Sequence, residues 1–226
     1  MSASPTCPAY RIETNRLVLR CWNPPDAPLL REAIVESLEH LRAWMPWAMS
    51  EPTSLEEKIQ RIRMMRAKFD RDEDYVYGIF DRDESKVLGG CGLHTRLEGN
   101  ALEIGYWIHA GHIRQGLGTE MAAALTKAAF ELHQVERVEI HHDPANKASA
   151  ALPRKLGYTQ EAILRRRASG PDGNRRDSAI WSLFAEDYPA SPSAAAEIRT
   201  YDAAGREIAG RRQQTAGSRQ QAAGSR

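Results

Sequence analysis

Residues 112–120, HIRQGLGTE, place two glycines, Gly116 and Gly118, one residue apart between a run of β-formers and an alanine-rich stretch. Such a loop has a chemical use at a helix start. The first N–H groups of a helix lack intrahelical partners and carry partial positive charge, so they attract anions. Glycine lets a phosphate oxygen approach that backbone with no Cβ in the way. Gly118 is followed by Thr119 and Glu120, not by the Lys-Ser/Thr of a Walker loop. Met121 stands where a dinucleotide fingerprint needs its third glycine. On spacing alone the loop is either a phosphate cradle or a glycine-relieved turn into a core helix.

Two further residues could move protons. Glu103 begins the apolar run before the loop and alternates away from Leu102, Ile104 and Tyr106, which leaves it to act through water or to sit solvated on a strand. His141 ends another β-rich run, VERVEIHH, and an imidazole is matched to base catalysis near neutrality, although an isolated strand histidine is more often structural. Just beyond it, Asn146 and Ser149 form an N-x-x-S pattern that reads first as a helix start.

The elements that must position these residues follow from patterning. RLVLRCW, YVYGIF, KVLGGCGLHTR, ALEIGYWIH, VERVEIHH, TQEAILRRR and DSAIWSLF read as strands, the last two joined by GPDGN into a hairpin. Helical spacing covers PPDAPLLREAIVESLEHLRAW, KIQRIRMMRAKF after the capping-box pattern of Thr53, Ser54, Glu56 and Glu57, TEMAAALTKAAFEL, and NKASAALPRKLGY with Gly157 as its terminator. Alternating strands and helices with a final hairpin predict an α/β fold with a mixed central sheet of about seven strands flanked by about four helices.

A flexible start over 1–9 precedes a domain over 10–188. The remainder, 189–226, is rich in Ala, Ser, Arg, Gln and Gly, repeats RQQTAGS as RQQAAGS, and reads as a low-complexity, disordered tail. The 226 residues carry a net charge of +1, which argues against non-specific nucleic-acid binding as the main task. The sequence shows no secretory signal pattern and no apolar run of transmembrane length. Cys7, Cys21 and Cys91 are odd in number and scattered, and no His/Cys spacing implies a metal. The expectation is a cytoplasmic protein, with a homodimer left open.

The segment EIGYWIHAGHIRQGLGTEMAAAL followed by DPANKASAALPRKLGY resembles the GNAT superfamily of acetyl-CoA-dependent N-acyltransferases. The closer likeness is to the RimJ/RimL-like branch, which includes enzymes that acetylate N-termini of ribosomal proteins. The resemblance implies a single GNAT-like domain that uses acetyl-CoA as co-substrate. It implies that Arg114, Gln115, Gly116, Leu117, Gly118 and Thr119 form the loop for the coenzyme pyrophosphate, and that the main chain of Tyr106, Trp107 and Ile108 pairs with the pantetheine arm. Asn146 matches a residue that contacts that arm, and Ser149 one proposed to protonate the thiolate. His141 falls in a slot where some N-terminal acetyltransferases carry a catalytic Glu. Trp44 and Trp47, in WMPWA, match a region that lines the acceptor channel, or form a plain hydrophobic corner.

Three slots depart from the family pattern. Ile113 replaces a frequent Arg or Gln, Pro153 stands seven residues after Asn146 where many relatives have a catalytic Tyr, and Ala168 occupies a position that can be Glu. Transfer by direct attack in a ternary complex is expected, because no cysteine lies in these motifs. At neutral pH a lysine costs about 3 kcal/mol more to deprotonate than an α-amine, which favours a protein or peptide N-terminus as acceptor. A small-molecule amine, or a catalytically silent coenzyme-binding module, are the alternatives. Arg165, Arg166 and Arg167, with Arg175 and Arg176 across the hairpin, form a basic patch that would attract an acidic peptide or RNA, or be a solvated face. Lys147, Arg154 and Lys155 are placed to meet coenzyme phosphates.

Overall fold

The computed structural model describes residues 8–170 and 172–208. Ten strands form one sheet in the order β10-β9-β1-β2-β3-β4-β5-β6-β8-β7. They are β1 (Arg11–Glu13), β2 (Val18–Cys21), β3 (Tyr75–Phe80), β4 (Val87–His94), β5 (Ala101–Ile108), β6 (Arg137–His142), β7 (Thr159–Ser169), β8 (Arg175–Phe184), β9 (Arg199–Tyr201) and β10 (Glu207–Ile208). Every pairing is antiparallel except β5 with β6, so the sheet is mixed.

Helices cover both faces. On one lie α1 (Ala27–Glu36), α2 (Leu38–Arg42) and α3 (Leu55–Asp70), whose Leu30, Ile34, Leu41 and Ile62 bury against Val18, Trp22, Phe80 and Val87. On the other lie α4 (Leu117–Ala128), extended by a π-turn over Ala129–His133, and α5 (Lys147–Lys155). Met121, Leu125 and Leu152 there join Leu19, Ile79, Leu102, Ile104, Val138 and Trp181 in the larger core.

Local chemistry explains several boundaries. Ser54 Oγ accepts from Glu57 N while the Glu57 carboxylate accepts from Ser54 N, the reciprocal cap anticipated for α3. The long helix expected after Trp22 is instead a 3-10 turn over Pro24–Asp26 and two helices that break at Ser37. Tyr158 is core, its hydroxyl 2.6 Å from Thr126 Oγ1.

The sheet is wider than expected, with ten strands in place of about seven, and five α-helices stand in place of about four among the described residues. The extra width comes from the chain ends. Residues 189–208, expected within a disordered tail, make two 3-10 turns and then β9 and β10, which add to β1. Sparse apolar content concealed this hairpin because its stability comes from pairing with an existing edge and not from a core of its own. Ser193 Oγ donates to Leu156 O at 3.2 Å, and the Tyr188 ring stacks on Phe130, fixing the connection to the domain. The ordered unit thus runs past 188 to 208; residues 209–226, and 1–7 of the expected flexible start, lie outside the described residues.

Candidate active site

β5 and β6 pair only over Ala101↔Arg137, Leu102↔Val138 and Glu103↔Glu139. β5 then continues to Ile108 and β6 to His142 with no further pairing between them, so the sheet forks at Glu103. On its other edge β5 stays paired with β4 from Glu103 to Ile108. The fork leaves strand backbone free on the inner edge of β5, where an extended amide-bearing arm can pair as an added strand. This is the run Tyr106, Trp107, Ile108.

The glycine loop closes one end of the fork. Gly116 is the N-cap of α4 with φ +81°, a left-handed conformation that glycine adopts without a Cβ penalty. No side chain caps the helix start, so the N–H groups of Leu117, Gly118 and Thr119 stay available to an anion. Arg114 also has positive φ, +59°. The Leu117 side chain is buried in the core, which limits its contribution to backbone. Arg16 Nη1 donates to Gln115 O at 2.9 Å. Glu120, in the first turn, accepts from Arg16 N, Arg16 Nε and Thr14 Oγ1 at 2.9, 2.7 and 2.6 Å. Its charge is therefore matched by Arg16 and does not oppose a bound phosphate unpaired. This arrangement fits a coenzyme pyrophosphate.

A cavity of about 830 Å3 runs through the fork. Trp44, Trp47, Glu103, Tyr106, Trp107, His141, Asn146 and Ser149 all line it, which brings together residues from four separate stretches of sequence. The loop residues Arg114 to Thr119 and Ile108 are not on its walls; they stand at the α4 end.

His141 is held between carboxylates. Its Nε2 lies 2.6 Å from Glu139 Oε2, and its Nδ1 lies 3.8 Å from Glu103 Oε2. Glu139 is fixed in turn by Arg137 Nε at 2.6 Å. Both Glu103 oxygens accept from Arg96, Oε2 from Nε at 2.7 Å and Oε1 from Nη2. Burial opposes ionisation of Glu103, but the Arg96 hydrogen bonds and the nearby charges of Arg96 and His141 outweigh it and hold the carboxyl below the usual range. His142 faces the other way, as strand alternation requires, and Trp181 Nε1 donates to its Nε2 at 2.9 Å.

Asn146 is the N-cap of α5, its Oδ1 accepting from Ser149 N at 3.0 Å. That turn aims Ser149 at β5, where the Tyr106 hydroxyl donates to Ser149 Oγ at 3.2 Å. Burial raises the Tyr106 phenol, partly offset by this bond, so the hydroxyl keeps its proton. Trp47 meets Trp107 edge-on at 6.3 Å between ring centroids, and the Arg61 guanidinium lies 5.9 Å over the Trp47 ring. Arg154 stacks over Trp181 at 5.7 Å instead of standing free near the loop.

Sequence reasoning missed Arg96, Glu139, Arg16 and Glu120. Glu139 carried a signal, since a carboxylate two residues before His141 on a strand shares its face. Arg16 and Arg96 carried none, because each meets its partner only through tertiary structure.

The model of the Acetyltransferase (GNAT) domain matches residues 16–159, well over half of the chain. Among curated proteins, the N-acetyltransferase YoaA of Bacillus subtilis, itself uncharacterized, is 27% identical over 173 residues, 76% of this chain and 95% of its own. The [ribosomal protein uS5]-alanine N-acetyltransferase of Escherichia coli is 25% identical over 183 residues, 80% of this chain and 94% of its own. Among solved structures, RimL, a ribosomal L7/L12 α-N-protein acetyltransferase in complex with coenzyme A, superposes with a TM-score of 0.69 at 21% identity. That superposition covers 76% of this chain and 95% of RimL. The activity is acetyl transfer with acetyl-CoA as donor, and the fork, the uncapped helix start and the family match agree on one conclusion: the chain belongs to the GNAT acetyltransferase family.

Proposed function

We propose that the chain acetylates the α-amine of a protein or peptide N-terminus by direct attack in a ternary complex. The observation that carries this reading is the shared cavity at the strand fork, lined by both His141 and Ser149. The uS5-alanine and L7/L12 acetyltransferases among its relatives support a protein acceptor.

Acetyl-CoA supplies the activated acetyl thioester. The backbone N–H groups of Leu117, Gly118 and Thr119 hold its pyrophosphate, and the free edge of β5 at Tyr106, Trp107 and Ile108 holds its arm. Glu139 accepts the Nε2 proton of His141 and fixes that tautomer, which leaves Nδ1 as the base that takes the proton of the attacking amine. Glu103, engaged by Arg96, stabilises the imidazolium that results and acts as a positioning charge. As the new C–N bond forms and the C–S bond breaks, Ser149 gives its proton to the departing sulfur and is reprotonated through the Tyr106 hydroxyl, which takes a proton from water in turn, while His141 releases the amine proton to solvent. Trp44 and Trp47 wall the acceptor side.

The test is product mapping by mass spectrometry with acetyl-CoA and three acceptor sets: peptides with a free α-amine, the same peptides N-blocked but containing lysine, and small amines. Acetyl on the free α-amine is expected. Preferential modification of lysine or of small amines overturns the reading.

A further inference from the structure

The β7–β8 hairpin carries a feature that acetyl transfer itself does not use. Leu164 pairs with Ser178 and Ala168 with Arg176, so Arg165, Arg166 and Arg167 stand opposite Asp177 alone. Arg166 lies in the left-handed region at φ +53°, and its N–H is clasped by Asp177 Oδ1 at 2.9 Å. A three-residue bulge of this kind re-aims side chains, and backbone held in such a region calls for a reason. Ser178, Ala168 and Arg176, which bracket the bulge, all line the cavity, so the bulge sits at its rim.

The charges around that rim are lopsided. Each acidic residue on the cavity wall has a basic partner: Glu51 with Lys58, Asp74 with His94, Glu103 with Arg96 and Asp143 with Arg176. The side chains of Arg165, Arg166, Arg167 and Arg175 have no carboxylate partner among the described residues, and all four residues are exposed. The mouth therefore presents unmatched positive charge beside the acceptor site. Arg176 ties the hairpin back to the helical side, donating to Ala43 O at 3.1 Å, next to Trp44.

We propose that Arg165, Arg166, Arg167 and Arg175 bind the carboxylates of an acidic acceptor segment that follows the α-amine to be acetylated. The proposal rests on the reading of the acceptor as a peptide N-terminus. It also serves the chemistry. Carboxylates close to an α-amine favour its protonated, unreactive form, and pairing them with arginine cancels that effect.

The experiment compares peptides with identical first three residues followed by Asp/Glu, by Asn/Gln or by Lys, using the parent and the R165Q/R167Q/R175Q variant, at low and high salt. The parent is expected to favour the acidic peptide over the neutral one by about tenfold or more in kcat/KM, largely through KM. That is about 1.4 kcal/mol, and it should shrink as salt screens the pairs. The acid-to-neutral ratio should fall below about twofold in the variant, whose folding is checked by its Tm. N-terminal acetylation at equal efficiency for acidic and neutral peptides overturns this inference while leaving the acceptor reading intact, as does a preference that the variant retains. Acetylation of none of the peptides overturns the acceptor reading and this inference with it. Charge-blind peptide kinetics together with binding of a single-stranded RNA oligonucleotide that the variant loses would assign the patch to RNA instead.

Discussion

The Nε2 of His141 lies 2.6 Å from Oε2 of Glu139, two residues back along the same strand. In the proposed mechanism this pair decides which ring nitrogen keeps the proton and which faces the acceptor. His141→Gln should lower kcat by about 10²–10⁴, the usual worth of a general base, with little change in KM for acetyl-CoA. Glu139→Gln keeps the shape but can present either amide atom to the imidazole, so it should cost an intermediate factor of about ten in kcat/KM. Equal turnover of both variants and the parent from pH 6 to 9 would remove His141 from the mechanism.

Ser149 and Tyr106 act in series if the sulfur is protonated as described. Ser149→Ala should reduce kcat by about tenfold or more, and Tyr106→Phe by less, because water can reprotonate the serine. The double variant should match Ser149→Ala, since groups in one relay are not additive. Multiplicative losses in steady-state kcat would mean independent roles.

Much of this site was legible in the sequence, for physical reasons that differ by element. The glycine loop declared itself because a left-handed N-cap at Gly116 all but requires glycine. Glu103 and the facing of His141 against His142 followed from the two-residue period of strands. The fork did not, because where two parallel strands part depends on what fills the gap between them. Arg96 meets Glu103 through the register of β4 on β5, in which His94 opposes Glu103, and no local pattern encodes that. The β9–β10 hairpin was hidden because edge pairing needs few apolar residues, and Ile198 and Ile208 only partly bury.

Gly118 separates the turn reading of the loop from the phosphate reading. A Cβ there would sit 3.4 Å from Leu152 Cδ1 and 3.7 Å from Ile108 Cγ1, ordinary contacts between α5 and the end of β5. Gly118→Ala should therefore fold, with stability equal to the parent or up to about 1 kcal/mol higher from helix propensity. Its calorimetric affinity for acetyl-CoA should fall several-fold, because the methyl group narrows the approach to the helix start. Unchanged affinity would reduce the glycine to a packing choice.

The Arg96–Glu103 pair makes a pH prediction. Glu103 is held below the ordinary carboxyl value of about 4.3, so its contribution to stability is complete above that pH and is lost as pH falls through its lower folded value. Arg96→Gln removes the main compensating partner and leaves burial as the dominant influence on the carboxyl. The gap in urea midpoint between parent and Arg96→Gln should be widest near neutrality and narrow as pH drops toward 3.5. A gap independent of pH would show that Arg96 stabilises by packing and not by charge.

Lys58 and Glu51 form a fully buried ion pair on the cavity wall. Glu51 Oε2 also accepts from Thr53 N at 2.8 Å, and Arg42 Nη2 donates to Glu51 O at 2.7 Å. These bonds fasten the end of the turn Pro46–Ser50, which carries Trp47, to α2 and α3. Burial lowers the Lys58 ammonium and Glu51 counters it, so removing one partner strands the other in an apolar wall. Glu51→Leu alone should cost about 3–5 kcal/mol, whereas Glu51→Leu with Lys58→Met should return to within about 1 kcal/mol of the parent. If the pair serves to fix Trp47, the double variant will regain stability and still show a raised KM for the acceptor at unchanged KM for acetyl-CoA. Recovery of both would assign the pair to packing alone, because a neutral pair would then hold the indole equally well.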